Sequence, residues 1–584
     1  MSESRNSTKR MSFVSNGEHM RRTAWILLIV YEFASAMLSV WATEVSGLAP
    51  SAPTNFQTPI PSDSGDSLRG LPSVQLNSTG LDGKLQTLSS RGSPSQESQI
   101  SLEGIPLNLA SDGYFNLGDL SWNGIDKINF IRGGYSPSGT NPSSQLQLFL
   151  PSDKEFRTGL DYGSYNHYGA FQRAPNANFS FQSAEDDYLF DNGQSFTRRT
   201  HNHRQNINLE VWTKQKDYQI WSMFIHSQQE IPYDYEFDIS ESNLETIRPI
   251  MAYQGRTDSW SWDLWTSFQN QENTQATSTI TNRVWGSGQR LKHKESWRKD
   301  WSSQNQLEFS QDHLENSSYS SETRWSLSYA LGLFWLPLPG QLIHPRLRTE
   351  YLSDLKDSFS LHPGIGGRHE LNQDFNILWN INFISKAPTL TDRFFQTQTI
   401  QANPDLKRQK SFQGDLGYEG FVSNRSLRIS QAAFFNRTSD LIRYDFSANQ
   451  TRNTGKALAY GLENEISLRA FKSFQLSSSY TYTQATQGNG DLLYQARHKL
   501  FVVPSYRITD NWIWRLPLYA RSSMRGFQRR LSKQWELSSA WEIESGKWQV
   551  SLKINNLLAW RRQEVEGFPL PQETWAIISL SRSY

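Results

Sequence analysis

Residues 575–584, WAIISLSRSY, alternate apolar and polar side chains up to the last position. Ala576, Ile578 and Leu580 share one parity with Tyr584, and Ser579, Ser581 and Ser583 take the other. That is the period of a strand with one apolar and one polar face. Chain ends ordinarily fray into polar, unpaired segments, so a strand running to an aromatic terminus predicts a sheet closed through its final strand. In hydrocarbon such closure is compulsory, because an open edge leaves N–H and C=O groups unpaired where no water reaches them. The expectation is a membrane-spanning β-barrel.

The same alternation recurs from about residue 155 onward. Trp260, Trp262, Leu264 and Phe268 oppose Ser261, Asp263, Ser267 and Gln269. Trp325, Leu327, Tyr329, Leu331, Leu333 and Trp335 hold one face of their segment. Phe474, Leu476, Tyr480 and Tyr482 alternate with Ser, Thr and Gln, and Trp548, Val550, Leu552 and Ile554 with Gln549, Ser551, Lys553 and Asn555. Segments 206–211 and 218–225 fit as antiparallel partners around the turn at Lys214–Asp217. A soluble β-sandwich also alternates, but its aromatic faces must be buried on a second sheet, and here the opposite faces are polar throughout. Composition agrees. Mean hydropathy is −0.63, yet aromatics make up 13% with 21 Trp and 23 Tyr, as expected where a polar lumen alternates with a lipid-facing band and aromatic girdles. The region after the mixed N-terminal part would supply about 22 strands at ~20 residues per strand and connection, although spacing alone fits about 18 equally.

A net charge of +1 gives no basic excess for nucleic-acid binding. The absence of Cys excludes disulfides, thiolate metal sites and cysteine nucleophiles. Arg21-Arg22, the apolar run Ala24–Val30 and small residues around Ala34, Ala36 and Ala42 read as a signal peptide over 1–42. Residues 43–67, rich in Ser, Pro and Thr, read as a flexible linker. Short apolar runs broken by Gly turns fill 68–152 before the barrel at 153–584.

The segment 68–109 resembles the plug domain of TonB-dependent outer-membrane receptors, nearest to the vitamin B12 (cobalamin) receptor type. The matching residues are Leu71-Pro72-Ser73-Val74, Arg91-Gly92, Leu102-Glu103-Gly104-Ile105-Pro106-Leu107-Asn108 and Ile125–Gly133. In the barrel, KAPTL at 386–390, NPDL at 403–406, NTGKALAYGLENE at 453–465, KINNLL at 553–558 and GFPLP at 567–571 resemble further signatures of that family. The resemblance spans 68–584. It implies an all-β barrel of about 22 strands with a small N-terminal α+β plug in its lumen. It departs in three places: the linker is short, the glycine pair expected after Arg132-Gly133 is missing, and Lys407-Arg408-Gln409 replaces proline-glutamate after NPDL.

The resemblance also implies roles. Arg91 and Arg132, each before a glycine, are plug arginines expected to meet barrel glutamates; Glu463 and Glu465, of equal parity, are the candidates. Fork-shaped guanidinium–carboxylate contacts suit a plug held in a polar lumen, with no hydrophobic seal. Plug loops expected to contact ligand are Asn77-Ser78-Thr79-Gly80 and Leu107-Asn108-Leu109-Ala110, whose amides and hydroxyls suit a neutral, hydrogen-bonding ligand. Thr43-Glu44-Val45 is the candidate TonB-coupling segment. Asp186, Asp187 and Asp191 are candidate Ca²⁺ ligands in an extracellular loop; no other cofactor is expected. The expected function is TonB-energised import of a large, scarce nutrient, cobalamin-like or siderophore-type, by a monomer in the bacterial outer membrane. Expected partners are the TonB–ExbB–ExbD complex, the barrel-assembly machinery, lipid and a small-molecule ligand. The alternatives are a TonB-uncoupled passive channel or surface-binding barrel and, for want of any catalytic constellation, last an enzyme. The aromatic C-terminus resembles the signal by which such barrels are recognised for assembly. Arg582, on the parity of Leu580 and Tyr584, is then expected at a membrane rim.

Overall fold

The computed structural model describes residues 68–81, 83–133, 144–152, 155–191, 196–234, 239–276, 278–317, 319–396, 400–445, 447–488 and 490–584. Thr43, Glu44 and Val45, with the signal and linker segments, lie outside the described residues.

Alternating segments pair with their neighbours from Arg157–Gly163 to Trp575–Ser583, forming a closed barrel of 22 antiparallel strands. The last strand closes the circle on the first, in register from Ile577 opposite Gly163 to Ser583 opposite Arg157. His203–Lys214 pairs with Tyr218–Ile231, the hairpin that the alternation predicts. One strand is split at Pro517, which has no N–H to give the ladder; its neighbour breaks opposite, where Ser538 N donates to the Pro517 carbonyl at 2.9 Å.

The two faces are those of a protein turned inside out. Asp161, Asn178, Asn206, Asn208 and Glu210 are buried in the lumen, whereas Leu160, Tyr162, Phe224, Leu264, Leu327 and Leu580 are exposed on the outer wall. So wide an apolar surface is unsustainable in water, where patches rarely exceed a few hundred Å²; in a bilayer it is the lipid band. Arg582 lies over the rings of Trp548 and Tyr584, at 5.1 and 4.8 Å, a cation among the aromatics that mark an interface.

Turns at one end are short, as at Lys214 to Tyr218, Phe471 to Phe474 and Ser545 to Trp548. At the other end, long connections cover 387–408, 522–533 and 556–574. Short turns mark the periplasmic rim and long loops the extracellular one. The barrel begins at Arg157 on the short-turn side, so the preceding domain is joined to the wall from the periplasm.

That domain has a hairpin, Val74–Ser78 with Gln86–Ser90, and a four-stranded sheet ordered Ile105–Pro106, Ser98–Leu102, Ser144–Phe149, Lys127–Arg132. Its helical content is a few short turns such as Leu117–Asp119. Ile100, Leu102, Leu107, Phe130, Leu146 and Leu148 form its core. This core continues into the inner wall through Trp212, Trp221, Met223, Ile225 and Ile250. The plug therefore has an apolar seal on one side, where the sequence led us to expect polar docking alone. These wall strands are apolar on both parities at that height, because one face meets lipid and the other covers the second side of the plug sheet. Trp265 faces inward for the same reason: it packs against this core, covers Gly288, and lies under the Arg290 guanidinium at 5.2 Å.

Candidate functional site

The two Arg-Gly turns of the plug converge on one patch of the wall. Arg91 forks onto Glu463, with Nε to Oε1 at 2.8 Å and Nη2 to Oε2 at 2.9 Å, and its Nη1 donates to Asp415 at 2.8 Å. Arg132 donates to Glu463 at 3.4 Å and to Glu465 at 3.0 Å. Thus Glu463 takes both arginines and Glu465 one of them. Burial alone would lower the Arg91 pKa, but Glu463 and then Asp415 more than offset it, and the guanidinium is held firmly charged. The glycines make the approach feasible. A Cβ on Gly92, at φ 78°, would lie 2.8 Å from that of Ala459, and one on Gly133, at φ 74°, 2.5 Å from the Asp415 carboxylate. Sequence reasoning missed Asp415, although the alternation of Gln409–Val422 places it on the lumen face. It also missed Lys499, whose ammonium donates to the carbonyls of Leu71, at 3.1 Å, and Val74.

The first of the two plug loops is covered from above. Residues 556–574 fold into the lumen as a hairpin, Arg562–Val565 with Phe568–Leu570. Glu564 accepts from Ser78 N at 3.0 Å and from Arg69 at 2.8 Å. Glu566 accepts the backbone N–H groups of Phe527, Gln528 and Arg529. The Tyr188 hydroxyl donates to the Pro569 carbonyl at 2.5 Å, and Arg199 lies over the Phe568 ring at 5.1 Å. Asn77, Ser78, Thr79 and Gly80 therefore sit beneath this cap, with the Ser78 hydroxyl turned back onto the Gly80 carbonyl. Nearby, Lys84 donates to the carbonyls of His203 and Glu230 at 3.1 and 2.8 Å. Burial pushes its ammonium pKa down to about 7, with Asp186 opposing.

The second loop meets the KAPTL segment. Thr389 caps the short helix Leu390–Phe394 in a reciprocal box with Asp392. The first N–H groups of that helix donate to the carbonyls of Ala110 and Ser111 at 2.9 and 3.0 Å. Leu109 packs with Val284, Leu314 and Leu390. Leu107 is core. The Asn108 amide is spent within the plug, on Ile100 N and on the carbonyls of Ser98 and Gly113. Beside this loop a cavity of about 200 Å³ opens between plug residues 96–113 and the wall from Trp265 to Thr389.

Of the candidate calcium ligands, Asp186 is engaged by Arg204 at 2.9 Å and Asp187 lies 3.9 Å from Arg198. The Asp191 side chain is outside the description. Among the described residues no group of three His, Asp or Glu side chains gathers as a metal site.

A 22-strand barrel with a separately folded domain in its lumen defines a plugged outer-membrane barrel. The family model described as "TonB dependent receptor-like, beta-barrel" matches residues 102–557, and the "TonB-dependent Receptor Plug Domain" matches 55–141. The chain belongs to the TonB-dependent receptor family, in the bacterial outer membrane. Among curated proteins, an iron-regulated outer membrane virulence protein of Vibrio cholerae is 26% identical over 244 residues, 37% of this chain. The chain spans about a third of the length of the curated relatives it matches, 35% in that case. Among solved structures, the siderophore receptor PirA of Acinetobacter baumannii aligns with a TM-score of 0.73 at 12% identity, covering 90% of this chain and 97% of that one. The FrpB iron transporter of Neisseria meningitidis aligns at 0.75 and 11% identity, covering 93% and 100%. A ferric enterobactin receptor of Pseudomonas aeruginosa aligns at 0.70 and 13%, covering 91% and 96%. At these identities the structures share the fold.

Proposed function

We propose that the protein binds a ferric chelate at its extracellular mouth and imports it with energy delivered by the TonB–ExbB–ExbD complex. The observation that carries this reading is the way the plug is held. Among the described residues no plug strand joins the barrel sheet; the plug is tied to the wall by ion pairs, hydrogen bonds and apolar contacts. A pull from the periplasm would remodel such a domain without opening the barrel. In this reading the Arg91–Glu463 and Arg132–Glu465 contacts are the docking points. Iron as the cargo is supported by the names of the relatives, a siderophore receptor, an iron transporter and an iron-regulated protein. Cobalamin is the second reading, favoured by the plug motifs at 68–109.

Growth of cells with and without the protein, on limiting iron and on limiting cobalamin, tests the assignment. The expected outcome is a defect confined to iron limitation. A defect confined to cobalamin limitation would reverse the order of the two cargoes, and no defect in either would remove the import reading.

A further inference from the structure

One carboxylate in the lumen wall has no charge beside it. Glu210, on the strand His203–Lys214, is 1% exposed. Among the described residues it makes no ion pair, and no charged side chain lies close enough to act on it. Its surroundings on one side are apolar: Met223 lies across the ladder from Glu210, Ile225 across from Asn208, and Trp212 two residues along the strand. On the other side Arg173, across the ladder from Asn178, lies 3.9 Å from Asp126 of the plug and makes no ion pair with Glu210. The carboxylate has one side-chain donor, Asn178 Nδ2, which reaches Oε2 at 2.6 Å. Oε1 has none.

The ladder gathers further oxygens of the same kind around it. Asn178 lies directly opposite Glu210, and Ser180 directly opposite Asn208, two residues before Glu210. All four side chains share the lumen face, and none is more than 2% exposed. Asn178 spends its amide nitrogen on Glu210, and its Oδ1, like Asn208 Oδ1, is buried without a donor. The Ser180 hydroxyl makes no hydrogen bond among the described residues. Opposed residues have Cβ atoms about 4.5–5.5 Å apart, and alternate residues on a strand lie roughly 7 Å apart, so the four side chains can reach one point between them. The plug closes the group from the lumen side. Its turn Trp122–Gly124 packs on the strands that carry Arg173 and Asn178, and a Cβ on Gly124 would fall 2.9 Å from Glu210 Oε2.

Buried acceptors need donors, and a buried carboxylate needs a countercharge. A proton on Glu210 could serve one of these oxygens; a bound cation serves all of them and neutralises the carboxylate as well. Carboxylate, amide and hydroxyl oxygens are hard donors, which suit alkali and alkaline-earth ions rather than soft transition metals. One carboxylate balances one positive charge, whereas Ca²⁺ takes six to eight oxygens and gains affinity with the number of charged ligands. We propose that Asn178, Ser180, Asn208 and Glu210 form a binding site for a monovalent alkali cation, held at the seam between wall and plug beneath the Trp122–Gly124 turn. The site is independent of the cargo and of energy coupling.

The test uses the purified full-length receptor in detergent, with choline chloride holding the ionic strength constant. Equilibrium binding is measured with radioactive Na⁺ and with radioactive Rb⁺ as the tracer for K⁺. Saturable binding of one Na⁺ or Rb⁺ per receptor is expected, unaffected by choline. E210Q keeps the side-chain volume and an oxygen for Asn178 but removes the charge, and it should weaken binding at least tenfold. N208D adds a second carboxylate beside Glu210 and should raise Ca²⁺ affinity at least tenfold over wild type. Intact barrel folding in each variant is read from circular dichroism and from heat-dependent gel mobility. Absence of saturable binding, the result for a protonated Glu210 or for water among these oxygens, would overturn the site. So would alkali-cation binding that folded E210Q leaves unchanged, or a folded N208D protein with wild-type Ca²⁺ affinity. Ca²⁺ binding to wild type tenfold tighter than either alkali ion would overturn the monovalent assignment.

Discussion

Replacing Glu463 by Gln keeps the volume of the side chain and removes the charge on which both plug arginines converge. Arg91 would retain Asp415 at 2.8 Å and Arg132 would retain Glu465 at 3.0 Å, so neither cation is stranded. Breaking a buried pair by removing one partner costs about 3–5 kcal/mol, and the retained partners put this variant at the lower end, about 3 kcal/mol. At about 1.4 kcal/mol per decade, plug opening should become on the order of 100-fold more frequent. The chain has no cysteine, so one introduced thiol reports cleanly. Ser101 in the plug sheet is fully buried and makes none of the cluster's ion pairs. In S101C, maleimide labelling proceeds only when the plug opens. Adding E463Q should raise the labelling rate about 100-fold at low thiol reactivity, with no change in barrel heat stability. A rise below about threefold would refute the view that these ion pairs hold the plug, and would assign docking to the apolar seam at Trp212, Trp221 and Met223.

Other outcomes follow from the same geometry. The Lys84 pKa is lowered from 10.5 to about 7 by burial, so the docked plug carries a penalty that is full below pH 7 and vanishes as pH approaches 10.5. Docking stability should therefore rise between pH 7 and 10, by up to about 1.4 kcal/mol per pH unit, and K84M should flatten that slope in the S101C labelling assay. Glu566→Gln exchanges a carboxylate for an amide that accepts more weakly at the N–H groups of 527–529; limited proteolysis should cut 521–534 several-fold faster, and an unchanged rate would detach the hairpin from that loop. Charge on the outer wall should be tolerated by depth: Ile578→Arg is expected to cost about 2–4 kcal/mol in a bilayer-folding titration if it faces the band interior, whereas Arg582→Leu should change stability by no more than about 1 kcal/mol. Equal costs at the two positions would contradict the rim placement of Arg582.

Much of this architecture was legible from alternation, because lipid outside and polar lumen inside impose opposite chemistries on successive residues. The closing strand, the hairpin at 203–231 and the inward face of Gln409–Val422 follow from that rule. It fails where the plug needs apolar cover. Trp212, Trp221 and Trp265 point inward while Leu209, Ile220 and Leu264 face lipid, so both parities are apolar and the period of two is blurred. Glu463 and Glu465 could not be separated by parity, since only the three-dimensional height of the Arg-Gly turns decides which one each arginine reaches. The inward hairpin escaped because its strands, Arg562–Val565 and Phe568–Leu570, are too short to alternate visibly. The cavity escaped because plug residues 96–113 and wall residues up to Thr389 meet only through barrel closure, a relation no local window contains.

Energy coupling is tested most directly by uptake of a radiolabelled ferric chelate into intact cells that carry either the full-length receptor or one lacking residues 43–67. With the deletion, binding at the cell surface should persist, because the ion pairs that hold the plug to the wall, from Arg69 through Arg91 to Arg132, are all retained, while accumulation inside the cell should fall to the level of cells without the receptor. Undiminished accumulation by the deleted form would contradict TonB-driven import and leave a passive barrel in its place.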